Sequence, residues 1–482
     1  MMGPLIQKDI IIIGGGIIGT SIARELCKYS CAIGVIEKEP DIGWSTSKAN
    51  SGIIHAGFSG DKGSLRLSLC HKGNKLFKEE AENLDIPLKN IGSLVNAFNP
   101  EELCHLELLL KQGKENGLEG LSIVQGNEKI RKIEPNISKK IDFALLAKEA
   151  SIVSPYEVSI ALFENSKANG VDFYFNFEVE KITFNDINKS FIIHTQSQVF
   201  ESGFIINAAG LFSENIANMI GDYSFKISYY RGQYYLLDLD TNGFVNSINF
   251  QVSSGKSKGI LITPTIDGNI LIGPNYEKID EVELATSAEG LAEVKEKATA
   301  LFPALPMNKV ITTFSGIRAV SDTNDFIIAP SKINQKFINV AGIQSPGLTC
   351  AFSIPLLIKD MLEERNVLKD KNKKFKPYRK NITRLNKSEY KKNEDLIKIN
   401  NLYGEIVCRC EKISEAEVIE SIIRGATTLD GIKFRTRAGM GRCQGGYCTL
   451  KLMRVLSDEL NLDFEEITKK GRNSFVVTKR IE

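Results

Sequence analysis

Four cysteines near the C-terminus, a glycine-rich hexapeptide near the N-terminus and one histidine are the residues of this chain best suited to chemistry. Cys408-Arg409-Cys410 is followed, after thirty-two residues, by Cys443-Gln444-Gly445-Gly446-Tyr447-Cys448. Four thiolates at one site suit zinc or an iron–sulfur cluster. Structural zinc usually takes C-x2-C knuckles, and C-x-C holds its two sulfurs closer. That favours a two-iron cluster, with zinc as the second reading. Gly439, Gly441, Gly445 and Gly446 leave backbone N–H groups able to approach sulfur, which tunes a cluster's potential. Lys433, Arg435, Arg437 and Arg442 are near enough in sequence to offset its negative charge. The hexapeptide is Gly14-Gly15-Gly16-Ile17-Ile18-Gly19, the G-x-G-x-x-G of a dinucleotide site. Gly14 permits a tight turn, Gly16 lets backbone approach a pyrophosphate, and Gly19 lets helix and strand pack closely. Glu37 stands eighteen residues past Gly19, where an adenosine ribose presents its hydroxyls. His55 is one of four histidines. It follows a small polar loop, 43–52, and its small neighbours Ala56 and Gly57 leave the ring accessible, as a general base requires.

Each of these groups needs an element to hold it. Asp9-Ile10-Ile11-Ile12-Ile13 reads as a buried strand and residues 20–26 as a helix. The hexapeptide therefore lies between strand and helix, and the helix N-terminus offers free N–H groups to phosphate. A second strand, 32–36, ends at Glu37. Helices are predicted over 64–84, 100–116 and 157–169, and strands over 171–175, 179–182 and 191–194. Residues 204–210 form an apolar strand running into a small-residue turn, the kind of strand end that faces the ligand crevice of an open α/β sheet. From 227 to 274 the pattern changes. An aromatic strand over 229–237 and a hairpin signal around Ile266-Asp267-Gly268 predict an inserted antiparallel sheet that covers the cofactor and forms the substrate cavity. Small-residue turns return at 315–318 and 342–349, and a helix from 350 to 364 closes the domain.

Length and composition set limits. At 482 residues the chain exceeds one typical core, so two or three domains are expected. A net charge of +2 gives no reason to expect nucleic-acid binding. No apolar run is long enough to span a bilayer, and the first strand lies too near Met1 and has too many glycines for a signal peptide. A cytoplasmic location is expected. Of nine cysteines, Cys27, Cys31, Cys70, Cys104 and Cys350 are scattered, so the C-terminal cluster reads as a metal site rather than part of a disulfide framework.

Much of the first 365 residues resembles the FAD-dependent glycerol-3-phosphate dehydrogenase and oxidase branch of the D-amino-acid-oxidase-like flavoproteins. The matching pieces, in order, are 14–19, Asn50-Ser51-Gly52-Ile53-Ile54-His55-Ala56-Gly57, Asn207-Ala208-Ala209-Gly210, Arg231-Gly232-Gln233-Tyr234, Gly316-Ile317-Arg318 and Ser345-Pro346-Gly347-Leu348-Thr349. Residues from about 403 to 460 resemble the bacterioferritin-associated-ferredoxin-like 2Fe-2S domain, on Asp430-Gly431-Ile432-Lys433 and the run 437–448. The resemblance implies an α/β fold: a Rossmann-type FAD-binding domain with an inserted antiparallel substrate domain, followed by a small α-rich iron–sulfur domain. The expected boundaries are 1–368 for the FAD-dependent part, 369–402 for a solvated Lys-rich linker, 403–465 for the iron–sulfur domain and 466–482 for a tail. Within the first, FAD-binding parts are expected near 1–90, 145–222 and 312–368, and cap parts near 91–144 and 223–311.

The same resemblance implies site roles. Gly14, Gly16 and Gly19 hold the FAD pyrophosphate, with Ile17 and Ile18 beside them, and Glu37 and Lys38 lie at the adenosine ribose. Thr46, Ser47, Asn50, Ser51 and Gly52 line the pyrophosphate and ribityl chain, and Val179 presents backbone to adenine. Ala208, Gly210 and Gly316 border the flavin, and Gly347, Leu348 and Thr349 offer it N–H groups. His55 aligns with the base, and Lys258, Arg318 and Ser345 with polar groups around the substrate. Cys408, Cys410, Cys443 and Cys448 are the implied cluster ligands. The implied reaction oxidises sn-glycerol 3-phosphate to glycerone phosphate, with hydride transfer to FAD. Hydride transfer from an alcohol needs a base, and a phosphate needs fixed cations. Oxidase members without the cluster domain pass electrons to oxygen. This chain is instead expected to export them singly to a partner, a second flavoprotein or iron–sulfur subunit that is sometimes membrane-attached. L-2-hydroxyglutarate dehydrogenation is the alternative, also resembled through 50–57, Ser64-Leu65-Arg66 and Cys70. An amine dehydrogenase and a non-catalytic electron-transfer subunit stand behind it.

Overall fold

The computed structural model describes residues 3–252, 259–368, 370–385 and 389–479. Its first sheet has eight strands and is built on β1 (Ile6–Ile13). Ile10, Ile11 and Ile12 are fully buried, as a β-branched run inside a parallel sheet must be. On one side β1 pairs in parallel with β2 (Ile33–Ile36), Ile13 opposite Ile36. On the other it pairs in parallel with Val199–Asn207, Ile13 opposite Asn207. The strands Asp172–Tyr174 and Phe337–Ala341 extend the parallel order outward. The hairpin Val179–Asn185 and Ser190–Thr195, together with Ile327–Pro330, adds antiparallel edges. The helix α1 (Ile17–Leu26) packs between Pro155–Ala168 and Ile354–Glu363 on the sheet. This brings the C-terminal ends of β1, β2 and 199–207 to one edge, where an open α/β sheet holds its ligand.

The second sheet has nine strands from three stretches of chain. Two long strands, Ile227–Leu237 and Val310–Ser321, pair antiparallel along their whole length, with Gly232 opposite Gly316 and Tyr230 opposite Arg318. The predicted hairpin about Asp267 forms between Leu261–Pro264 and Ile270–Ile272. Ile248–Gln251 pairs in parallel with Ser93–Ala97, so this cap sheet is mixed rather than purely antiparallel. The C-terminal domain is helical, with Glu415–Ile423, Leu429–Thr436 and Thr449–Leu460 closing on Val418, Ile432 and Leu456. Ser414 and Glu417 form a capping box that starts its first helix.

The expected solvated linker is partly docked. Arg379 is buried, donating to Glu164 at 2.6 Å and to the Leu84 carbonyl at 3.1 Å, and Ile382 is 4% exposed. Asn165 donates to the Lys376 carbonyl at 3.0 Å. Composition alone misled here, because a few anchored residues suffice to hold a polar strap. Among the described residues no helix is long and apolar enough to cross a membrane.

Candidate functional site

The glycine turn behaves as its spacing requires. Gly14 has φ +107°, and a side chain there would meet the Ala208 carbonyl oxygen at 2.5 Å. A side chain on Gly19 would strike the Gly14 carbonyl oxygen at 1.9 Å. Helix α1 starts at Gly16 without a side-chain cap of its own, and Ser47 Oγ accepts the Ile17 N–H at 2.9 Å. The Glu37 carboxylate accepts from Gly15 N–H at 2.6 Å and Glu39 N–H at 2.9 Å. Burial pushes this carboxyl up to about 6.

In front of the turn lies a cavity of about 670 Å3. Gly16, Ile17, Ile18, Thr46, Ser47, Asn50, Ser51, Ala208, Gly210, Gly316, Gly347 and Leu348 line it, and so do His55, Arg318 and Ser345. Gly14, Gly19, Glu37, Lys38, Gly52, Val179 and Thr349 stand outside this lining. The Lys38 ammonium sits 3.7 Å from the centre of the Phe212 ring, and Gly52 turns at φ +65° against the Val153 carbonyl. Thr349 is buried, and its Oγ1 accepts the His55 N–H at 3.0 Å, so its side chain holds the histidine backbone. Lys258 lies outside the described residues.

His55 is fixed from three directions. Its Nε2 is 3.4 Å from Ser345 Oγ, its ring stacks on Phe250 with centroids 6.1 Å apart, and its carbonyl accepts from Asn74 at 3.0 Å. Arg318 places its guanidinium 5.3 Å from the Tyr276 ring. Its Nη1 is buried and has no hydrogen-bond partner among the described residues. A buried, unanswered guanidinium nitrogen is costly, and an anion in the cavity would satisfy it. Arg66 also lines the cavity, with its guanidinium 3.7 Å from the Asp61 carboxylate. Sequence reasoning missed Arg66, Tyr276 and Phe250 as site residues. Each comes from a different element, and no local spacing links them.

The four cysteines meet as two pairs. Cys410 and Cys443 have their sulfurs 3.5 Å apart, and Cys408 and Cys448 share a hydrogen bond. N–H groups of Gly439 and Glu411 point at Cys408, and those of Tyr447 and Gly445 at Cys443. The Cys448 hydrogen bond, helped by the Gly439 and Glu411 N–H groups, lowers the Cys408 thiol. Among the described residues no three His, Cys, Asp or Glu are grouped tightly around one metal ion. Two thiol pairs with N–H donors at sulfur fit a two-iron cluster, which takes four thiolates.

The two domains meet in a polar and aromatic seam. Arg435 and Asp41, each 3% exposed, form a bidentate pair, one arm at 2.9 Å. Arg424 reaches Glu164 at 3.0 Å. Arg437, left-handed at φ +74°, donates to Glu411 at 3.0 Å, Asp267 at 2.6 Å and Asn269 at 3.0 Å. The expectation that Arg435 and Arg437 neutralise the cluster is corrected: both guanidiniums are taken by carboxylates. Phe434 packs at 5.6 Å from Trp44 and 5.2 Å from Tyr156, whose hydroxyl is 3.5 Å from Met440 Sδ. A second cavity of about 270 Å3 lies in this seam and shares Ala49, Asn50 and Ser51 with the first. Lys48 and Lys433 line it, and burial lowers both ammonium groups, Lys48 to about 8.

The seam makes a testable demand. Asp41→Ala leaves Arg435 buried without its carboxylate, which costs roughly 3–5 kcal/mol. Denaturant titration should then show the C-terminal domain separating in an earlier step, while Asp61→Ala, at an exposed carboxylate, leaves the curve unchanged.

Comparison with known proteins gives the family. The FAD dependent oxidoreductase family matches residues 9–360. The chain belongs to that family. In this oxidoreductase a BFD-like [2Fe-2S] binding domain matches residues 406–458, so FAD and a 2Fe-2S cluster are its cofactors. It is 44% identical over 476 residues to the glycerol 3-phosphate dehydrogenase of Caloramator mitchellensis, covering 98% of each chain. The structure of L-alpha-glycerophosphate oxidase from Mycoplasma pneumoniae with FAD bound superposes with a TM-score of 0.73 at 28% identity, covering 77% of this chain and 98% of that one. The mitochondrial L-2-hydroxyglutarate dehydrogenase of Pongo abelii is 29% identical over 381 residues, covering 74% of this chain and 88% of that one.

Proposed function

We propose that this oxidoreductase oxidises sn-glycerol 3-phosphate to glycerone phosphate and exports the electrons through its 2Fe-2S cluster to a partner protein. The observation that carries the reading is the cavity that joins a histidine to a buried guanidinium nitrogen on Arg318 with no hydrogen-bond partner among the described residues. FAD, when bound, supplies the hydride acceptor and the cluster a one-electron carrier. The chain's own residues do the rest. Arg318 and Arg66 hold the anionic end of the substrate, and the planar fork of Arg suits phosphate. His55 takes the hydroxyl proton. Ser345 and Phe250 hold its ring, and Thr349 and Asn74 hold its backbone. The likeness to a glycerol 3-phosphate dehydrogenase along nearly the whole chain, cluster domain included, supports the same reading. On this reading the protein works in the cytoplasm, with any membrane attachment made through the partner subunit.

Anaerobic addition of glycerol 3-phosphate should bleach the flavin bands and then the cluster bands. An unbleached flavin discards that substrate. Arg318→Met should raise the half-saturating concentration roughly 10- to 100-fold, the scale of a hydrogen bond to a charged group, with little change in the limiting rate. L-2-hydroxyglutarate is the second reading, favoured by the presence of two guanidiniums at one cavity, since a dicarboxylate offers two anionic ends. Bleaching by that acid alone would select it.

A further inference from the structure

The thiol group has one open side. Cys408 and Cys448 are buried, whereas Cys410 and Cys443 are partly exposed. Tyr447 donates its N–H to the Cys443 sulfur, yet its side chain leaves Tyr447 86% exposed. Leu450, in the first turn of the following helix, is 61% exposed. Both stand in solvent within two residues of the ligand position Cys448, where a partner protein would cover them.

The charge around them has one dominant sign. Arg409, Lys412, Lys451 and Arg454 are exposed, and none makes an ion pair among the described residues. Among the described residues the Lys451 ammonium donates to the Ile406 carbonyl, at 3.3 Å. Arg442 is bound to Asp238 at 3.0 Å, although its side chain is 63% exposed. The carboxylate nearest the ligands in sequence, Glu411, is buried on Arg437 and does not neutralise this face. Glu405 is an exposed acid on the adjoining ribbon. Asp458 and Glu459 are exposed acids at the far end of the same helix, Asp458 one turn past Arg454, so the face is basic at Arg409, Lys412 and Lys451 and mixed beyond Arg454.

We propose that this face docks a small acidic protein that carries one electron at a time. Carboxylates around its redox centre would meet the four cations, and Tyr447 and Leu450 would form the dry middle of the contact. The proposal rests on the export reading above and names the chemistry of the partner. The balance closes with two such partners. Oxidation of CH–OH to C=O releases two electrons and two protons. Each carrier molecule takes one electron, and the protons leave to solvent.

Cytochrome b5, an acidic haem protein, serves as the probe, and cytochrome c, a basic one, as its control. The parent protein should bind cytochrome b5 in titration calorimetry and reduce it with a rate that falls steeply with salt. The double variant K451E/R454E should lose roughly ten-fold or more of that rate, weaken the binding, and lose the salt slope. Its substrate-dependent bleaching should stay unchanged. Equal rates and equal salt slopes in parent and variant overturn the proposal, as does preference for cytochrome c in the parent. The two readings fail separately. Protein reduced chemically and freed of reductant can be mixed with cytochrome b5 without substrate, so a wrong substrate leaves the docking result intact.

Discussion

Turnover with glycerol 3-phosphate should fall roughly 100- to 10,000-fold in His55→Ala, the range lost with a positioned general base, while FAD stays bound. The glycine turn is held by other residues: the Gly15 N–H donates to Glu37 and the Ile17 N–H to Ser47. The loss therefore belongs to the rate of flavin bleaching in single-turnover stopped flow and not to flavin content. His55→Gln is the informative companion. It keeps a polar side chain near Ser345 but cannot take a proton at neutral pH, so it should be nearly as slow as alanine. Bleaching at the parent rate in either variant would remove the base from the mechanism. It would also reopen the amine reading, which has no hydroxyl proton to abstract.

Cys443→Ser should separate the two halves of the reaction. The change removes one thiolate of four, and ligand loss should exceed the roughly 10- to 100-fold in metal affinity that outer partners cost. The variant should lack the cluster's visible absorption. Because Cys443 stands in a different domain from the flavin cavity, substrate should still bleach the flavin at the parent rate. Reduction of a one-electron protein acceptor should then collapse. Electron export at the parent rate without a cluster would show that the flavin discharges directly. A variant that also loses flavin would point to a structural coupling through the Arg437 clamp, and Cys410→Ser, at the other partly exposed ligand, would test whether that coupling is general.

The sequence was most informative where one short segment does a whole job. Gly14 and Gly19 announce a strand–turn–helix because backbone sterics at those two spacings demand glycine, and Gly16 completes the fingerprint where a ligand would approach. The cysteine spacing announces a metal site because four thiolates at one place suit an iron–sulfur cluster or zinc, and the family match over 406–458 decides for the cluster. It was least informative where a site is assembled across distant elements. Arg66 joins Arg318 beside Tyr276 only because a helix start, a cap strand and a loop converge. Asp41 and Arg435 are 394 residues apart, and nothing local tells that their charges are spent on each other. The same limit explains the strap at 376–382. A Lys- and Asn-rich stretch reads as solvated because its few anchors, Arg379 and Asn381, meet partners in helix Pro155–Ala168.

That buried seam bears on how such a chain can be cut or acquired. Severing it near residue 368 would not release a tidy oxidase. It would leave Asp41 and Glu164 without their guanidiniums from the C-terminal domain and strip Trp44 and Tyr156 of Phe434, baring a sticky, ill-matched patch beside the flavin loop. The iron–sulfur part is thus no interchangeable module on a tether. Positions 41, 44, 156 and 164 are tied to the iron–sulfur part, so a chain without that part would need other residues there to leave this surface fit for water.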